Sequence, residues 1–492
     1  MNESEQREET GDGDGSGAGN GAGMRGAPDA PSSADVMPPS PNGLERVAGA
    51  LERWMTRWLP SPFALALLLT GLAALIALFL TDYRLGQLIG FWGGRFDAEG
   101  SLRAERGLWS LLAFSAQMCL ILVTGYALAE APPLRRLLHR LAGIPKGPRG
   151  AVALTALVAM GTALLNWGLG LICGALFARR ASAAMVAKGQ PTHGPLLAAA
   201  GYCGLLVWHG GLSGSAPLQV TQLPELQKIV PAATAPIPLS ETIFSPFNLS
   251  LQLLLLLLIP PFLALLHPRG DAVKPLPALD GDEGERVPPT LQDRLLSYGA
   301  ALAVGAYLYQ LLSATGLSRL DPNGVNLLML SLGLALHGSV DRYRDAVSSA
   351  AGACGGIILC FPLYGGLMAL LRDTGLAAML TDWVVSTAPA ALFQPFVFLS
   401  AGLLNLLIPS GGGQWAVQGA GVLAGTERLG LEPGIAVLAV AHGDAWTNLL
   451  QPFWALPLLA LTRAPIGRVF AYTLTLLLCT GPVYLFAFYL AS

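Results

Sequence analysis

Residues 405–418 read N-L-L-I-P-S-G-G-G-Q-W-A-V-Q, a stretch that combines membrane hydrophobicity with residues that break helices. It lies inside the window 383–426, which has no Asp, Glu, Lys or Arg and is therefore typical of a segment within a bilayer. Pro409 and the three consecutive glycines that begin at Gly411 interrupt a helix there. Irregular backbone at membrane depth is tolerated only where protein buries it or where it lines a wet cavity. The stretch predicts a substrate site on a discontinuous membrane segment, with a glycine-rich packing point between helices as the alternative.

Composition places the chain among membrane proteins. Of its 492 residues, 53% are hydrophobic and only 12% are charged, whereas soluble proteins carry about 25% charged residues. Uncharged apolar windows recur without the alternation of an outer-membrane barrel, which predicts an all-α polytopic membrane protein. The net charge of −2 gives no indication of a nucleic-acid partner. The six cysteines form no CxxC pair and are expected to be apolar packing residues, not disulfides or metal ligands.

The N-terminal part divides into a polar tail and a short amphipathic segment. Residues 1–42 are rich in Gly, Ser, Pro, Asp and Glu, which predicts a disordered tail without the features of a secretory signal. Residues 43–60 alternate apolar and basic residues at helical spacing and include Trp54 and Trp58. That pattern predicts an interfacial amphipathic helix at the membrane surface. Its basic residues, which favour the cytoplasmic side, are Arg46, Arg53 and Arg57.

The first half contains a long uncharged segment with basic residues on both sides. Residues 151–178 would span about 42 Å as one straight helix, against about 30 Å of hydrocarbon. Because both ends are basic, the segment is expected to enter the membrane and return on the same side. N-W-G-L-G at 166–170 is the natural tip, which predicts a re-entrant hairpin or two short spans. A second break, W-H-G-G-L-S-G-S-A-P, follows at 208–217.

The second half repeats the pattern of the first. L-L-N at 164–166 recurs at 403–405, and H-G at 209–210 recurs at 442–443. One odd span between the halves makes the repeats inverted, and paired broken segments at matching positions indicate a transporter's substrate site. The basic loops fall on one side if the N-terminus is cytoplasmic and the C-terminus outside. The predicted parts are transmembrane repeat 1 (61–267), a cytoplasmic charged linker (268–293), a connecting transmembrane helix (294–320) and inverted transmembrane repeat 2 (321–492).

Several motifs, in matching order, resemble the bacterial short-chain fatty acid transporter family of the AtoE type. In the second half they are Asn405 with P-S-G-G-G-Q-W-A-V-Q-G at 409–419, and G-D-A-W-T-N-L-L-Q-P-F-W-A-L-P at 443–457. In the first half they are N-W-G-L-G-L-I-C-G-A-L-F-A-R at 166–179 and G-G-L-S-G-S-A-P-L at 210–218. The resemblance runs from about Trp54 to the C-terminus and excludes the polar tail.

This resemblance implies a secondary transporter, not an enzyme, that imports short-chain fatty acids such as acetoacetate and butyrate by ion-coupled alternating access. It implies that the partners are a small carboxylate and the lipid bilayer of a bacterial inner membrane, and it leaves a homo-oligomer open. Two departures from the family leave the choice of acid open. Ala420 stands where the family often has Pro, and S-P-F-N at 245–248 stands where it often has S-G-F-N.

The candidate substrate site must hold an anion without a basic side chain, since no proposed broken segment contains Lys or Arg. Backbone N–H groups and helix N-termini then supply the donors. The glycine triplet is expected to form a nest of consecutive N–H groups, because glycine adopts the required dihedral angles cheaply. Trp415 and Trp167 are candidates for the wall around the acyl chain, with a packing role as the alternative. The predicted substrate-binding residues are Asn166, Gly168, Ser213, Ser215, Asn405, Ser410, Gly411, Gly412, Gly413, Gln414 and Trp415.

Asp444 is the only formally charged residue between Pro433 and Thr462. An ionisable residue within a membrane is costly and indicates a functional site. Asp444 therefore predicts a coupling-ion site for H⁺ or Na⁺, with no other cofactor; a structural carboxylate that caps a broken helix is the alternative. His442, or its expected counterpart His209, would tune the pKa of this carboxyl or bind the substrate. The predicted coupling-ion residues are Asp444, His442, Thr447 and Asn448.

Two other function classes compete with a transporter. Ser410, His442 and Asp444 supply the residue types of a hydrolase triad, but the serine lacks a G-x-S-x-G setting. A passive channel for small organic anions is the third class. The paired breaks and the carboxylate within the membrane favour alternating access over both.

Overall fold

The computed structural model describes residues 43–94, 106–270, 273–277, 288–315 and 322–492, so the predicted disordered tail lies outside the described residues. Within those ranges all regular secondary structure is helical, which confirms the all-α class. Nine helical segments of the described chain are long and apolar enough to cross a membrane. The helices, numbered in chain order, are α1 (Gly43–Trp58), α2 (Pro62–Leu80), α3 (Leu85–Gly93), α4 (Leu112–Glu130), α5 (Pro132–Gly143), α6 (Pro148–Leu165), α7 (Trp167–Ala187), α8 (Gly194–Tyr202), α9 (Ser215–Gln219), α10 (Leu223–Ile229), α11 (Pro246–Leu265), α12 (Leu291–Thr315), α13 (Pro322–His337), α14 (Val340–Ala351), α15 (Gly355–Asp373), α16 (Leu376–Thr387), α17 (Phe393–Asn405), α18 (Gly411–Leu429), α19 (Pro433–Thr447), α20 (Pro452–Thr462) and α21 (Ile466–Leu490).

Helices α6 and α7 form an antiparallel hairpin around a single residue. Asn166 is extended (φ −157°, ψ 133°), and its side chain caps α7 by accepting hydrogen bonds from the backbone of Gly168 and Leu169. Further along, a Cβ on Gly170 would lie 2.4 Å from Cβ of Ala163. One on Gly174 would lie 3.0 Å from Cβ of Ala159, so the arms run in opposite directions. Small residues therefore let the two backbones approach closely.

Helices α17 and α18 form the second hairpin, with the irregular stretch 406–410 at its tip. The side chain of Ser410 caps α18 by accepting from the backbone of Gly413 at 3.2 Å. The Gln414 amide donates to the Ala401 carbonyl at 2.8 Å, and the Gln418 amide donates to the Ser400 hydroxyl at 3.4 Å. Buried amides require hydrogen-bond partners, and those of Gln414 and Gln418 find them on α17. These bonds connect the two arms of the hairpin.

A broken helical segment follows each hairpin. Helix α8 passes through 3₁₀ turns up to Gly210 before α9 begins, and α19 passes through the 3₁₀ turn Asn448–Leu450 before α20 begins. Asn166 and Asn405 are 405 − 166 = 239 positions apart, and α8 and α19 begin 433 − 194 = 239 positions apart. On this offset His209 corresponds to Asn448 (448 − 209 = 239), not to His442 as the repeated H-G suggested. His442 lies inside regular helix α19, whereas His209 and Asn448 lie in 3₁₀ turns.

Candidate substrate and ion site

The tip of each hairpin is bound to the broken segment of its own half of the chain. In the first half, the Leu212 backbone N–H donates to the Leu164 carbonyl at 2.8 Å, and the Ser213 hydroxyl accepts from the Trp167 backbone at 3.0 Å. In the second half, the Gln451 side chain donates to the carbonyls of Asn405 and Leu406 at 2.8 and 3.2 Å. The backbone groups of each tip are thus satisfied by side chains and backbone of the neighbouring broken segment, as irregular backbone in a membrane requires.

Asp444 forms a buried contact between the two halves of the chain. Its side chain is 2% exposed, and its Oδ1 lies 2.9 Å from Nε2 of His209 and accepts from the Asn448 amide at 3.2 Å. His209 Nδ1 accepts the backbone N–H of Ser215 at 3.3 Å, so the proton is on Nε2 and a neutral imidazole donates to the carboxylate. Oδ2 of Asp444 has no hydrogen-bond partner among the described residues. A buried negative charge with a free oxygen is the arrangement that a proton or metal cation would neutralise.

Asn405 closes this cluster from the tip of the second hairpin. Its amide nitrogen lies 2.9 Å from the Asp444 carbonyl, 3.0 Å from the Thr447 hydroxyl and 2.8 Å from Oδ1 of Asn448. An amide nitrogen has two hydrogens, so three acceptors compete for two protons. Asn405, predicted as a substrate ligand, therefore belongs with Asp444, Thr447 and Asn448. The structure brings Asp444, Thr447 and Asn448 together in one cluster, as the predicted coupling-ion site requires.

His442 has a different partner from the one expected. Its Nε2 lies 2.9 Å from Oδ1 of Asn248 in α11. The Asn248 amide nitrogen donates to the carbonyls of Gly210 and Ile243, so its Oδ1 must accept and His442 Nε2 must donate. Two residues along a helix turn the side chain by about 200°, which directs His442 away from the face of Asp444. The contact with Asp444 is made instead by His209.

The glycine triplet adopts a different backbone from the predicted nest. Gly411, Gly412 and Gly413 form the first turn of α18, and none of them has a positive φ. Their N–H groups are presented by a helix N-terminus, whose first-turn donors lack partners within the helix. Ser410 already accepts from Gly413, which leaves the N–H groups of Gly411 and Gly412 as the candidate anion donors.

The start of α18 lies against α9 of the other half, and we call this polar contact region the crevice. A Cβ on Gly411 would lie 2.4 Å from the His209 ring and 3.4 Å from the Ser215 hydroxyl, and one on Gly412 would lie 2.9 Å from the Gln219 amide. Ser215 and Gln219 are partly exposed. Gln219 was not predicted, although it follows the G-S-A-P-L motif directly. The residues of the crevice are Ser213, Ser215, Gln219, Ser410, Gly411 and Gly412.

The other predicted substrate residues are engaged locally. Asn166 and Gly168 bond each other at the first hairpin tip. The Gln414 amide is bound to the Ala401 carbonyl and to Gln418 inside the second hairpin. Trp415 is fully buried there, with its ring against Gly419. Gln414 and Trp415 are therefore engaged within the hairpin in this structure, because Gln414 bonds to its first arm and the Trp415 ring packs along α18.

Trp167 instead meets two tryptophans that the sequence had not singled out. Its ring centroid lies 6.2 Å from that of Trp208 and 5.1 Å from that of Trp454, and these two are 6.1 Å apart. The three rings form the tryptophan triangle, with Trp167 and Trp208 from the first half and Trp454 from the second. Trp208 also lies against His209, with 3.5 Å between the ring centroids. The indole N–H groups of Trp208 and Trp454 are buried without a partner among the described residues.

The hydrolase triad is not assembled by the described contacts. Ser410 caps α18, His442 bonds Asn248 and Asp444 bonds His209. Each of the three residues thus hydrogen-bonds to a different partner, whereas a triad needs serine, histidine and aspartate in one hydrogen-bonded chain.

Two solved transporter structures are similar to the chain at low identity. The Neisseria gonorrhoeae MtrF structure, described with a class of antimetabolite efflux pumps, has a TM-score of 0.40 and 17% identity, and covers 91% of this chain and 97% of its own. The Alcanivorax borkumensis YdaH transporter has a TM-score of 0.39 and 16% identity, and covers 87% of this chain and 98% of its own.

Sequence relatives match nearly the whole chain. A protein of Escherichia coli (strain K12) is 35% identical over 453 residues, covering 90% of this chain and 98% of the relative. One of Haemophilus influenzae (strain Rd) is 31% identical over 461 residues, covering 91% and 99%. Both are provisionally named short-chain fatty acid transporters. The family model described as short chain fatty acid transporter matches residues 43–491, and the chain therefore belongs to the short-chain fatty acid transporter family.

Proposed function

We propose that the chain is a secondary transporter that imports short-chain fatty acids of the acetoacetate and butyrate class by cation-coupled alternating access. The observation that carries the proposal is the buried Asp444 carboxylate, which binds His209 of the other half and keeps one oxygen without a partner among the described residues. A cation bound at that oxygen would neutralise the charge and change the contact between the halves. Family membership and the names of the relatives support the substrate class.

The coupling ion is proposed to be H⁺, with Na⁺ as the second candidate. A proton can bind the free Oδ2 of Asp444 directly, and the neutral His209 keeps its hydrogen bond. Na⁺ needs several oxygen ligands. The oxygens of Thr447 and Asn448 that would serve are in contact with the Asn405 amide, which would have to turn away. The cluster thus accepts a proton with less rearrangement.

The substrate carboxylate is proposed to bind in the crevice and its acyl chain to face the tryptophan triangle. The crevice offers the N–H groups of Gly411 and Gly412 together with the side chains of Ser215 and Gln219, and it has no basic residue. Ser213 joins the two regions, because its hydroxyl accepts from the backbone of Trp167. A short apolar chain packs favourably on aromatic faces, so the triangle would set the accepted chain length.

Replacing Trp208 with Phe tests the role of the triangle. The smaller ring leaves space beside Trp167 and Trp454, so we expect the ratio of hexanoate to butyrate uptake to rise by about tenfold. One or two buried methylene groups are worth about 1–3 kcal/mol in such a pocket. The measurement is initial uptake of each labelled acid into proteoliposomes.

Trp415→Phe is the matched control for that experiment. It removes the same atoms from another buried tryptophan, but one that packs inside the second hairpin. We expect its chain-length ratio to stay within about twofold of the native ratio. Equal changes in both variants would show that the triangle only packs the core.

The membrane arrangement is also proposed. The chain is a multi-pass membrane protein, and we place it in the bacterial inner membrane with a cytoplasmic N-terminus and an external C-terminus. This follows from basic residues in 130–149, 179–192, 342–344 and 463–468, which would then share the cytoplasmic side. In the same arrangement both hairpins are re-entrant, α1 lies at the cytoplasmic interface, and α12 connects the inverted repeats.

One proteoliposome preparation distinguishes the three function classes. A transporter preloaded with unlabelled butyrate takes up labelled butyrate transiently above its external concentration, because the internal unlabelled butyrate competes with the label for outward transport. A channel only dissipates the gradient, and a hydrolase turns over short-chain esters. Counterflow with no ester turnover is the result that the proposed function requires, and its absence would contradict it.

A further inference from the structure

Helix α1 carries three arginines on one side. At about 100° per residue, Arg46, Arg53 and Arg57 fall within about 40° of one another around the helix axis. Their side chains are exposed, and together they are the arginine stripe. Guanidinium groups bind phosphate oxygens through paired, directional hydrogen bonds. The stripe therefore has the chemistry of a phosphate-binding surface.

The neighbouring side of α1 is apolar and aromatic. Val47, Trp54 and Trp58 lie about 100° around the axis from the arginine stripe and are 53%, 56% and 64% exposed. Exposed tryptophans beside cationic side chains are typical of a helix that lies in the membrane interface. In a multi-pass membrane protein this side fits the boundary between headgroups and acyl chains, which puts the arginine stripe at the level of the lipid phosphates.

The opposite side of α1 is packed against the rest of the protein. Met55 is buried, and the backbone at Met55 and Thr56 rests directly on Gly467 at the start of α21. A Cβ on Gly467 would lie 3.0 Å from Cα of Thr56, so only glycine permits this approach without displacement. The contact fixes the rotation of α1 and hence the direction of the arginine stripe.

Glu52 reinforces that contact with polar bonds. Its carboxylate lies 3.4 Å from Nε of Arg468 and 3.7 Å from Nε2 of His193, and it accepts from the Tyr472 hydroxyl at 3.4 Å. Burial raises the pKa of Glu52, but the proximity of His193 and Arg468 outweighs it and holds the pKa below its ordinary value. Glu52 thus joins α1 to α21 and to His193, the residue that precedes α8.

We propose that α1 is a binding surface for anionic phospholipid, with the arginine stripe on the lipid phosphates and Trp54 and Trp58 on the acyl chains. Glu52 and Gly467 hold this surface at a fixed orientation against α21. The occupant is a lipid, since the aromatic side requires hydrocarbon next to the phosphate. Each arginine near an anionic surface strengthens attraction by about fivefold, so three at one level select phosphatidylglycerol over zwitterionic phosphatidylcholine.

Quenching by brominated lipids tests the proposal. The full chain is reconstituted in phosphatidylcholine vesicles with a minor fraction of phosphatidylglycerol, and bromine is placed on the acyl chains of one lipid or the other. Subtracting the signal of a Trp54→Phe/Trp58→Phe variant isolates the fluorescence of α1. We expect brominated phosphatidylglycerol to quench at least about threefold more per lipid than brominated phosphatidylcholine, a conservative bound on the electrostatic preference.

Variants that remove or keep the positive charges test whether the arginine stripe causes the preference for phosphatidylglycerol. The triple change of Arg46, Arg53 and Arg57 to Gln should bring the ratio close to one, and the triple change to Lys should keep most of it. Removing three other exposed arginines, on α5, should leave the ratio unchanged, because acyl-chain quenching is local. Equal quenching by the two lipids in the native chain, or a preference that survives the glutamine changes, would overturn the proposal. The α5 control residues are Arg135, Arg136 and Arg140.

Discussion

Replacing Asp444 with Asn should abolish accumulation of butyrate against its gradient while exchange of internal for external butyrate continues. The Asn side chain keeps an oxygen that can accept from His209 and Asn448, so the local hydrogen bonds survive. It carries no charge, so it cannot bind the driving cation, and no gradient can be linked to the transport cycle. We expect accumulation to fall by at least about tenfold, since the lost coupling is worth about 1–3 kcal/mol or more.

The measurement is labelled butyrate in proteoliposomes, taken once under an imposed cation gradient and once in exchange mode. Exchange serves as the internal control for folding and substrate binding, because both are needed for it. Undiminished uphill uptake by the Asp444→Asn variant would make Asp444 a structural carboxylate. The coupling site would then lie outside this cluster, with Asn166 at the first hairpin tip as the next candidate.

Replacing Gly411 with Ala should reduce transport by at least about tenfold. The new methyl group would lie 2.4 Å from Cε1 and 2.6 Å from Nε2 of His209, which is closer than atoms approach without displacement. His209 is itself buried, and the Trp208 ring lies 3.5 Å away, so the imidazole has little room to move. Its bond to Asp444 must lengthen or break, and breaking a buried polar contact of this kind costs about 1–3 kcal/mol.

Gly412→Ala is the matched control, because both positions lie in the first turn of α18 and gain the same methyl group. The methyl at Gly412 would meet only the end of the Gln219 side chain, at 2.9 Å. That side chain is partly exposed and can turn away, so we expect a loss of no more than about twofold. Initial butyrate uptake, normalised to the amount of folded protein, gives both values. Similar losses in the two variants would remove His209 from the mechanism.

Local sequence signals located the hairpin tips well. Asn166 is the N-cap of α7, and Ser410 is the N-cap of α18. Both residue types are common N-caps, so both positions can be predicted from the residues next to them in sequence. A run of glycines, however, is compatible with a nest and with a helix start. Contacts with residues distant in sequence decide between a nest and a helix start. The tip at Gly411–Gly413 was therefore located from the sequence, but its predicted nest conformation was wrong.

Contacts between the halves do not follow from local patterns. His209 and Asp444 are 235 positions apart, and His442 was a nearer candidate along the chain. Only the helical rotation between His442 and Asp444, together with the partner Asn248, excludes that pairing. The same limit applies to the tryptophans. Trp415 stood beside the glycines in sequence, whereas Trp208 and Trp454 come together with Trp167 only in the folded chain.

A cation gradient is proposed to drive short-chain fatty acid uptake, and the most direct test is the initial rate of net butyrate accumulation by the native protein under pH and Na⁺ gradients imposed separately. Protein-free vesicles give the baseline, because undissociated butyric acid crosses bilayers unaided. We predict an initial rate of butyrate accumulation above that baseline under an inward H⁺ gradient. Accumulation under a Na⁺ gradient alone would assign the coupling to Na⁺. An initial rate no faster than the protein-free baseline with either gradient would contradict cation-coupled transport.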